Sequence, residues 1–441
     1  PDCRRGPPIK SPRARYTGTL EDGARVFHSV PYCRFPEPFG PAEELPKAPE
    51  QPAEVDARRP RPEAVALTLA APESAHYGSA LPVVVFIHGG AYHEGPHEDF
   101  DMGILARRGI IGVSVDYRLD AQGFVRFHDD EPNRYRGIDD CLTALKWLAR
   151  EIEHFGGDPG NITLAGQSAG AGICLWLTRT DHYQGLFQRV WALSPAFPRG
   201  AFRQRRGPLP RIRGPPVPRR HFTRRLERHP RALARGMRRF RSRYFHDLAL
   251  GPAPFDAHEL AEVPVLVSCT RDELYNESTT ARIDRAGLGG FAVRVAHALF
   301  GLQVPAGSYL DAVAETDPDR PLSRLAGDAM IRRWVAETAE HAAGPVWVME
   351  LTGTKEQPAV HCDDLPLIFG PGTGPQGGPE AHGDHLLGLL LDFARTGEPG
   401  WPAQRRPERK AVRIDRDSGR RTEVSDPLRA VRLAFQRPRW L

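Results

Sequence analysis

Phe155-Gly156-Gly157-Asp158-Pro159-Gly160-Asn161-Ile162-Thr163-Leu164-Ala165-Gly166-Gln167-Ser168-Ala169-Gly170 is the stretch from which the fold of this 441-residue chain is read. Asn161 to Ala165 is a short apolar run bounded by turn residues, the mark of a buried strand. Ala169 to Leu177 continues as a small-residue and apolar helix. Between them Gly166-Gln167-Ser168-Ala169-Gly170 has the form G-x-S-x-G. A tight strand-to-helix turn needs small residues on both sides, which Gly166 and Gly170 supply, and it projects the Ser168 hydroxyl at the carboxyl edge of a sheet. The helix N-terminus behind it favours developing negative charge.

Working outward, Leu81-Pro-Val-Val-Val-Phe-Ile87 is a continuous apolar run ending in His88-Gly89-Gly90, as expected of a strand covered on both faces. Ile110–Val115, Val190–Leu193, Val263–Val267 and Val346–Leu351 are further runs of this kind. Helical spacing occupies Asp139–Phe155, Ala329–His341 and His385–Thr396. Short β-like pieces around Gly18 and Gly23, between Tyr16 and Arg34, suggest an opening hairpin. Residues 1–15 are polar and expected to fray, and Pro36–Pro62 reads as a loop. Buried strands alternating with helices predict an α/β protein with a mostly parallel sheet flanked by helices. The chain is read as one domain, 1–441, with an atypical Arg/Pro-rich insertion at 198–255.

That insertion governs the charge. The overall +5 is the balance of 60 basic and 55 acidic residues. Between Arg199 and Arg243 stand 17 arginines and one acid, Glu227, a local +16 that leaves the remainder at −11. With 26% charged and 40% hydrophobic residues the chain is of globular type. No apolar run reaches the roughly 18 residues of a membrane span, so no membrane partner is expected. The six cysteines form no C-x-x-C pair, and free thiols in a reducing compartment are expected. With no apolar signal segment after Pro1, the expected location is the cytoplasm, and secretion stays open because the sequence does not begin with Met.

A serine hydroxyl is a poor nucleophile and needs a base and an orienting carboxylate. In strand–elbow–helix sites these follow in the order Ser, acid, His. Asp272-Glu273 lies just beyond the Val263–Val267 strand, and His361 beyond Val346–Leu351. All are post-strand positions, which a parallel sheet gathers at one edge. An oxyanion hole is expected from the N–H groups of Gly90, Ala91 and Ala169, in small-residue segments that let a carbonyl approach. Losing one such donor typically costs about 3 kcal/mol of transition-state stabilisation.

The chain resembles the type-B carboxylesterases, the α/β-hydrolase family that includes the cholinesterases. Val30-Pro31-Tyr32, Phe86-Ile87-His88-Gly89-Gly90 and Val115-Asp116-Tyr117-Arg118-Leu119 resemble early family segments, and Phe155 to Gly170 is the strongest match. Thr270-Arg271-Asp272-Glu273 resembles the acid segment, and the resemblance selects Glu273. His361-Cys362-Asp363-Asp364-Leu365-Pro366-Leu367-Ile368-Phe369-Gly370 resembles the catalytic-histidine segment. Phe393-Ala394-Arg395-Thr396-Gly397 with Trp401-Pro402 is similar to the last-helix signature. The resemblance spans most of residues 16–197 and 256–441. It implies the α/β-hydrolase fold and hydrolysis of small to medium carboxylic esters by Ser168, His361 and Glu273 through an acyl-enzyme, without a cofactor. Gln167 stands where many members have Glu, Leu274 where Gly is usual, and Ala91 at a usual third Gly. With no cysteine between Cys33 and Cys141, the early disulfide of secreted members cannot form.

Alternatives stay open beside this. The family also includes cholinesterase-like proteins without activity, so a non-catalytic binding or adhesion module is the rival reading. A third is an esterase inactivated by a corrupted cap. The Arg-rich segment reads as a solvated loop or as a misread frame of GC-rich coding. Nucleic-acid binding is not expected, because the segment lacks interleaved aromatics and a recognition-fold pattern. His88, His93 and His97 invite a metal, but Pro96 breaks their helical spacing and no metal is expected. Ser194 resembles a second site serine, with a satisfied strand-end hydroxyl as the simpler reading. Cys362 is read as a packed residue.

Overall fold

The computed structural model describes residues 4–46, 51–95, 99–200, 219–371, 373 and 384–435. Its main sheet, numbered here in chain order, consists of β1 (Arg4–Arg5), β2 (Thr19–Glu21), β3 (Ala24–Val30), β4 (Leu67–Pro72), β5 (Leu81–Ile87), β6 (Ile111–Val115), β7 (Gly157–Gln167), β8 (Arg189–Leu193), β9 (Val265–Thr270), β10 (Val346–Thr352), β11 (Lys410–Asp415) and β12 (Arg421–Ser425). The spatial order is β1-β2-β3-β4-β6-β5-β7-β8-β9-β10-β11-β12. From β6 through β5, β7, β8, β9 and β10 to β11 every pairing is parallel, and both flanks are antiparallel. The helices that matter below are α1 (Arg136–Glu151), α2 (Ala169–Leu177), α3 (Arg219–Arg228), α4 (Pro230–Arg241), α5 (Ser278–Arg285), α6 (Gly289–Ala296), α7 (Arg333–His341) and α8 (His385–Thr396).

The apolar runs are continuous because the parallel strands are covered on both faces. On β5, Val83, Val85 and Ile87 enter one core with α1 and α2, while Val84 and Phe86 enter the other with α8. On β8, Val190 and Ala192 likewise divide from Trp191 and Leu193. The layers are helix, sheet, helix, the α/β-hydrolase fold that the sequence implied. The opening hairpin is present as β2 and β3, paired Thr19 to Val26 and Glu21 to Ala24 around Asp22-Gly23.

Two expectations are corrected. The N-terminal stretch does not fray from residue 4 onward, since β1 pairs antiparallel with β2. Ile9–Lys10 pairs antiparallel with Ala14–Thr17, which runs parallel to Ala53–Asp56 inside the supposed loop. Ser11 and Tyr16 both donate to the Glu151 carboxylate at the end of α1, at 2.7 and 2.9 Å, which ties the segment down. The insertion is also not simply a solvated loop. Residues 201–218 lie outside the described residues, but 219–241 form α3 and α4. Arginine is a good helix former, and the apolar Phe222, Met237 and Phe240 turn inward at helical spacing. Phe222 packs edge-on against Phe39 and Phe127, with centroids 5.9 and 5.4 Å away. Helices therefore do cover this part of the molecule.

Candidate active site

Ser168 sits between the end of β7 and the first residue of α2, with φ +56° and ψ −118°, a conformation that non-glycine residues rarely adopt. Its N–H donates to Leu193 O of β8 at 2.9 Å, and its carbonyl accepts from Gly172 and Ala196 N–H. These bonds hold the strained residue in place. Two glycines allow it. A methyl on Gly170 would lie 2.0 Å from Ile87 O, and one on Gly89 would lie 3.2 Å from Ser168 Cβ. The His88-Gly89-Gly90 loop thus runs directly against the nucleophile turn.

At Gly90 and Ala91, φ is +100° and +49°, so the backbone turns sharply. Among the described residues the N–H groups of Gly90 and Ala91 donate to no protein acceptor. Ala169 opens α2, so its N–H lacks an intrahelical carbonyl. All three candidate oxyanion donors are therefore in segments packed against Ser168. The loop is anchored from beneath by His88, which is buried, with Nε2 3.0 Å from Asp116 Oδ1 and Nδ1 2.8 Å from Gly89 O. Its ring stacks on Tyr117, whose hydroxyl donates to His88 O.

The candidate acid stands just beyond β9. Glu273 is buried, and its Oε2 lies 2.6 Å from His361 Nδ1. Oε1 accepts from Thr270 N–H and from the Ser194 hydroxyl, each at 2.8 Å. His361 N–H also donates to the Glu273 carbonyl. Asp272 points elsewhere, into an ion pair with Arg324 at 2.9 Å. Burial opposes charge on His361, but the neighbouring Cys362 sulfur and the Glu273 carboxylate outweigh it and raise its pKa well above 6.5. Cys362 itself is half-buried at the edge of the second core, as expected of a packed residue. The remaining nitrogen, Nε2, lies 3.3 Å from Gln167 Nε2. Among the described residues the Ser168 hydroxyl has no hydrogen-bond partner. The candidate nucleophile and base, Ser168 and His361, are thus in neighbouring segments and make no hydrogen bond to each other.

Sequence reasoning undervalued two residues. Ser194 is expected to be a satisfied strand-end hydroxyl, and what satisfies it is the Glu273 carboxylate. Asp364 drew no attention. It is buried three residues beyond His361 and pushed up to about 7 by burial and then by the Glu273 charge. Its Oδ1 finds no partner among the described residues. Its place inside the His361–Gly370 segment was the available signal. Among the described residues, no metal-ligand cluster includes His88 or His93. Both nitrogens of His88 are engaged within the loop support, His93 faces Glu94 at 3.8 Å, and His97 lies outside the described residues. Asp256, His258 and Glu337 bring ligand atoms within 4.8 Å of one another, with two of the three residues exposed. They lie on segments leading into β9 and β10, at the opposite edge of the sheet from Ser168.

Comparison with known proteins agrees with this architecture. Over 114 residues, 26% of this chain, the sequence is 43% identical to neuroligin-2 of Mus musculus and 42% to that of Homo sapiens. The match spans 14% of the length of those relatives. Among solved structures, a carboxylesterase of Geobacillus stearothermophilus aligns over 97% of this chain and 100% of its own, with TM-score 0.73 and 24% identity. Juvenile hormone esterase from Manduca sexta aligns over 97% and 98%, with TM-score 0.74 and 19% identity. Residues 60–208 match the carboxylesterase family, and the chain as a whole has the α/β-hydrolase fold of solved carboxylesterases.

Proposed function

We propose that the protein is a serine hydrolase of small to medium carboxylic esters. His361, held through Nδ1 by Glu273, takes the Ser168 proton at Nε2 as Oγ attacks the ester carbonyl. The tetrahedral oxyanion is met by the N–H groups of Gly90, Ala91 and Ala169. His361 then protonates the leaving alcohol, and water, deprotonated by the same imidazole, releases the acid from the acyl-Ser168 intermediate. No cofactor enters these steps. The observation that carries the reading is the 2.6 Å contact between His361 Nδ1 and the buried Glu273 carboxylate beside a strained serine elbow. Free thiols support a reducing compartment, the cytoplasm. Among the described residues no helix is long and apolar enough to cross a membrane.

Ser168→Ala should abolish turnover of short-chain p-nitrophenyl esters, and wild-type-like turnover in that variant would sink the assignment. The second reading, a non-catalytic binding module, is favoured by one observation: Nε2 of His361 faces the Gln167 amide instead of Ser168 Oγ. Labelling with a fluorophosphonate separates the two. Selective modification of Ser168 requires an activated hydroxyl, and an unlabelled, folded protein would favour the binding module.

A further inference from the structure

Large apolar side chains are exposed on one helical stripe of this molecule. Leu288, Phe291, Val295 and Leu299 follow one another at spacings of three and four along α6 and the turns flanking it, with Phe291 and Val295 68% and 67% exposed. Such a spacing places them on one face of the helix. A fifth, Phe245, is 76% exposed just beyond α4. The two places are joined. Arg199 donates to both His246 O and Leu299 O, at 2.9 and 2.6 Å, and the His246 ring lies 6.4 Å from Phe300.

Arginine outnumbers acid on the neighbouring helices, where Glu227 is the one exposed acid of α3 and α4 and Asp319 stands beside the start of α6. Every arginine from Arg220 to Arg239 on α3 and α4 is exposed, and none forms an ion pair among the described residues. The inner faces of these helices are occupied by Phe222, Met237 and Phe240, so the guanidinium groups are displayed outward. Arg282, Arg285 and Arg294 are likewise exposed beside the stripe, while the one acid of α5, Asp284, is turned inward onto Leu322 and Ser323 N–H. Nucleic acid or a soluble polyanion would account for arginine alone. It would not account for bulky apolar groups standing free among the arginines. A bilayer with anionic headgroups matches both, phosphate to guanidinium and acyl boundary to Phe, Val and Leu.

We propose that α3, α4 and α6 form a docking surface for an anionic lipid bilayer. This goes beyond the sequence expectation, which foresaw no membrane partner, and concerns attachment to a surface and not passage through it. These helices belong to the segments that leave the carboxyl ends of β8 and β9, the sheet edge that carries Ser168. Docking would therefore set the candidate site beside the phase in which apolar esters dissolve.

The test is co-sedimentation of the full chain with phosphatidylcholine vesicles, with and without about 30% phosphatidylglycerol. Binding should require the anionic lipid and fall at least about tenfold between roughly 0.1 and 0.5 M salt. The combined change Arg231→Gln, Arg235→Gln, Arg238→Gln and Arg239→Gln should weaken it by about tenfold or more. Phe245→Ser with Phe291→Ser and Val295→Ser should also weaken it about tenfold, while heparin binding stays unchanged. All these positions are exposed, and unchanged thermal melting verifies the fold. Equal binding to neutral and anionic vesicles, or no binding to either, overturns the proposal. So does binding to heparin or a DNA duplex without vesicle binding. Because the readout is partition onto vesicles, it stands or falls separately from the ester-hydrolase reading.

Discussion

Gln167 Nε2 lies 3.3 Å from His361 Nε2, on the nitrogen that a nucleophilic serine must reach. With Nδ1 bonded to Glu273, the neutral imidazole offers a lone pair at Nε2, and the amide N–H donates to it. A base in this position works only when deprotonated, and its pKa is raised well above 6.5. Ester turnover, as kcat/KM, should therefore rise with pH through a limb above 6.5. In Gln167→Glu a carboxylate replaces the amide against Nε2 and favours the imidazolium. The limb should move to higher pH by about one unit. A pH profile that stays in place or moves down would show that residue 167 does not act through His361.

The two neighbouring carboxylates of the acid segment should separate by phenotype. Glu273→Gln removes the charge that orients and stabilises the imidazolium and should lower kcat about a thousandfold or more with little change in folding. Asp272→Asn instead deprives the buried Arg324 of its partner at 2.9 Å. It should cost about 3 kcal/mol of stability and leave kcat within a few-fold of wild type. Steady-state kinetics and denaturant unfolding on both variants decide this. An exchange of phenotypes would reassign the acid.

Asp364 introduces a pH dependence into stability. Its folded pKa of about 7 stands above the ordinary 3.8, so between these values the folded protein binds the extra proton. The unfolding free energy contributed by this group therefore falls as pH rises through that window, and the penalty is complete above it. Asp364→Asn should stabilise the protein by about 3 kcal/mol near pH 8, with the gain fading toward pH 4. A gain independent of pH would show that the carboxyl is not the titrating group.

The aromatic anchor of α3 can be tested alone. Phe222 is buried between Phe39 and Phe127. Phe222→Ala should cost about 3 kcal/mol and lower the melting temperature by several degrees. Were the Arg-rich segment a solvated loop, the melting curve would not move.

The core strands were legible because a strand covered on both faces must be apolar throughout, as in Leu81–Ile87 and Val346–Leu351. What escaped were the elements whose pattern is set by the sheet's margins. Lys410–Asp415 and Arg421–Ser425 are broken by Lys410, Arg413, Asp415, Arg421 and Glu423, because β12 is the edge strand and is exposed along nearly its whole length. The helices α3 and α4 were hidden for a different reason. Their apolar positions are sparse, and only the structure shows what Phe222, Met237 and Phe240 pack against. Of the candidate site, Ser168, Glu273 and His361 could be proposed from their post-strand positions and the family resemblance. The bonds of Ser194 and Gln167 could not, because they depend on side-chain directions between strands far apart in the chain.

The hydrogen bond from Ser168 N–H to Leu193 O has a wider meaning. It ties the nucleophile turn to the adjacent strand, and Ser194, Glu273 and His361 follow on from that strand and the next two. Every group that would handle charge in the reaction is therefore referenced to consecutive rungs of one rigid ladder. None of them stands on α3 or α4. Those two helices can then be exchanged, through drift or by design, without moving the strand ends that carry the candidate site. A chain can carry so foreign a segment as 199–243 and still bring Ser168, Glu273 and His361 to one edge of the sheet.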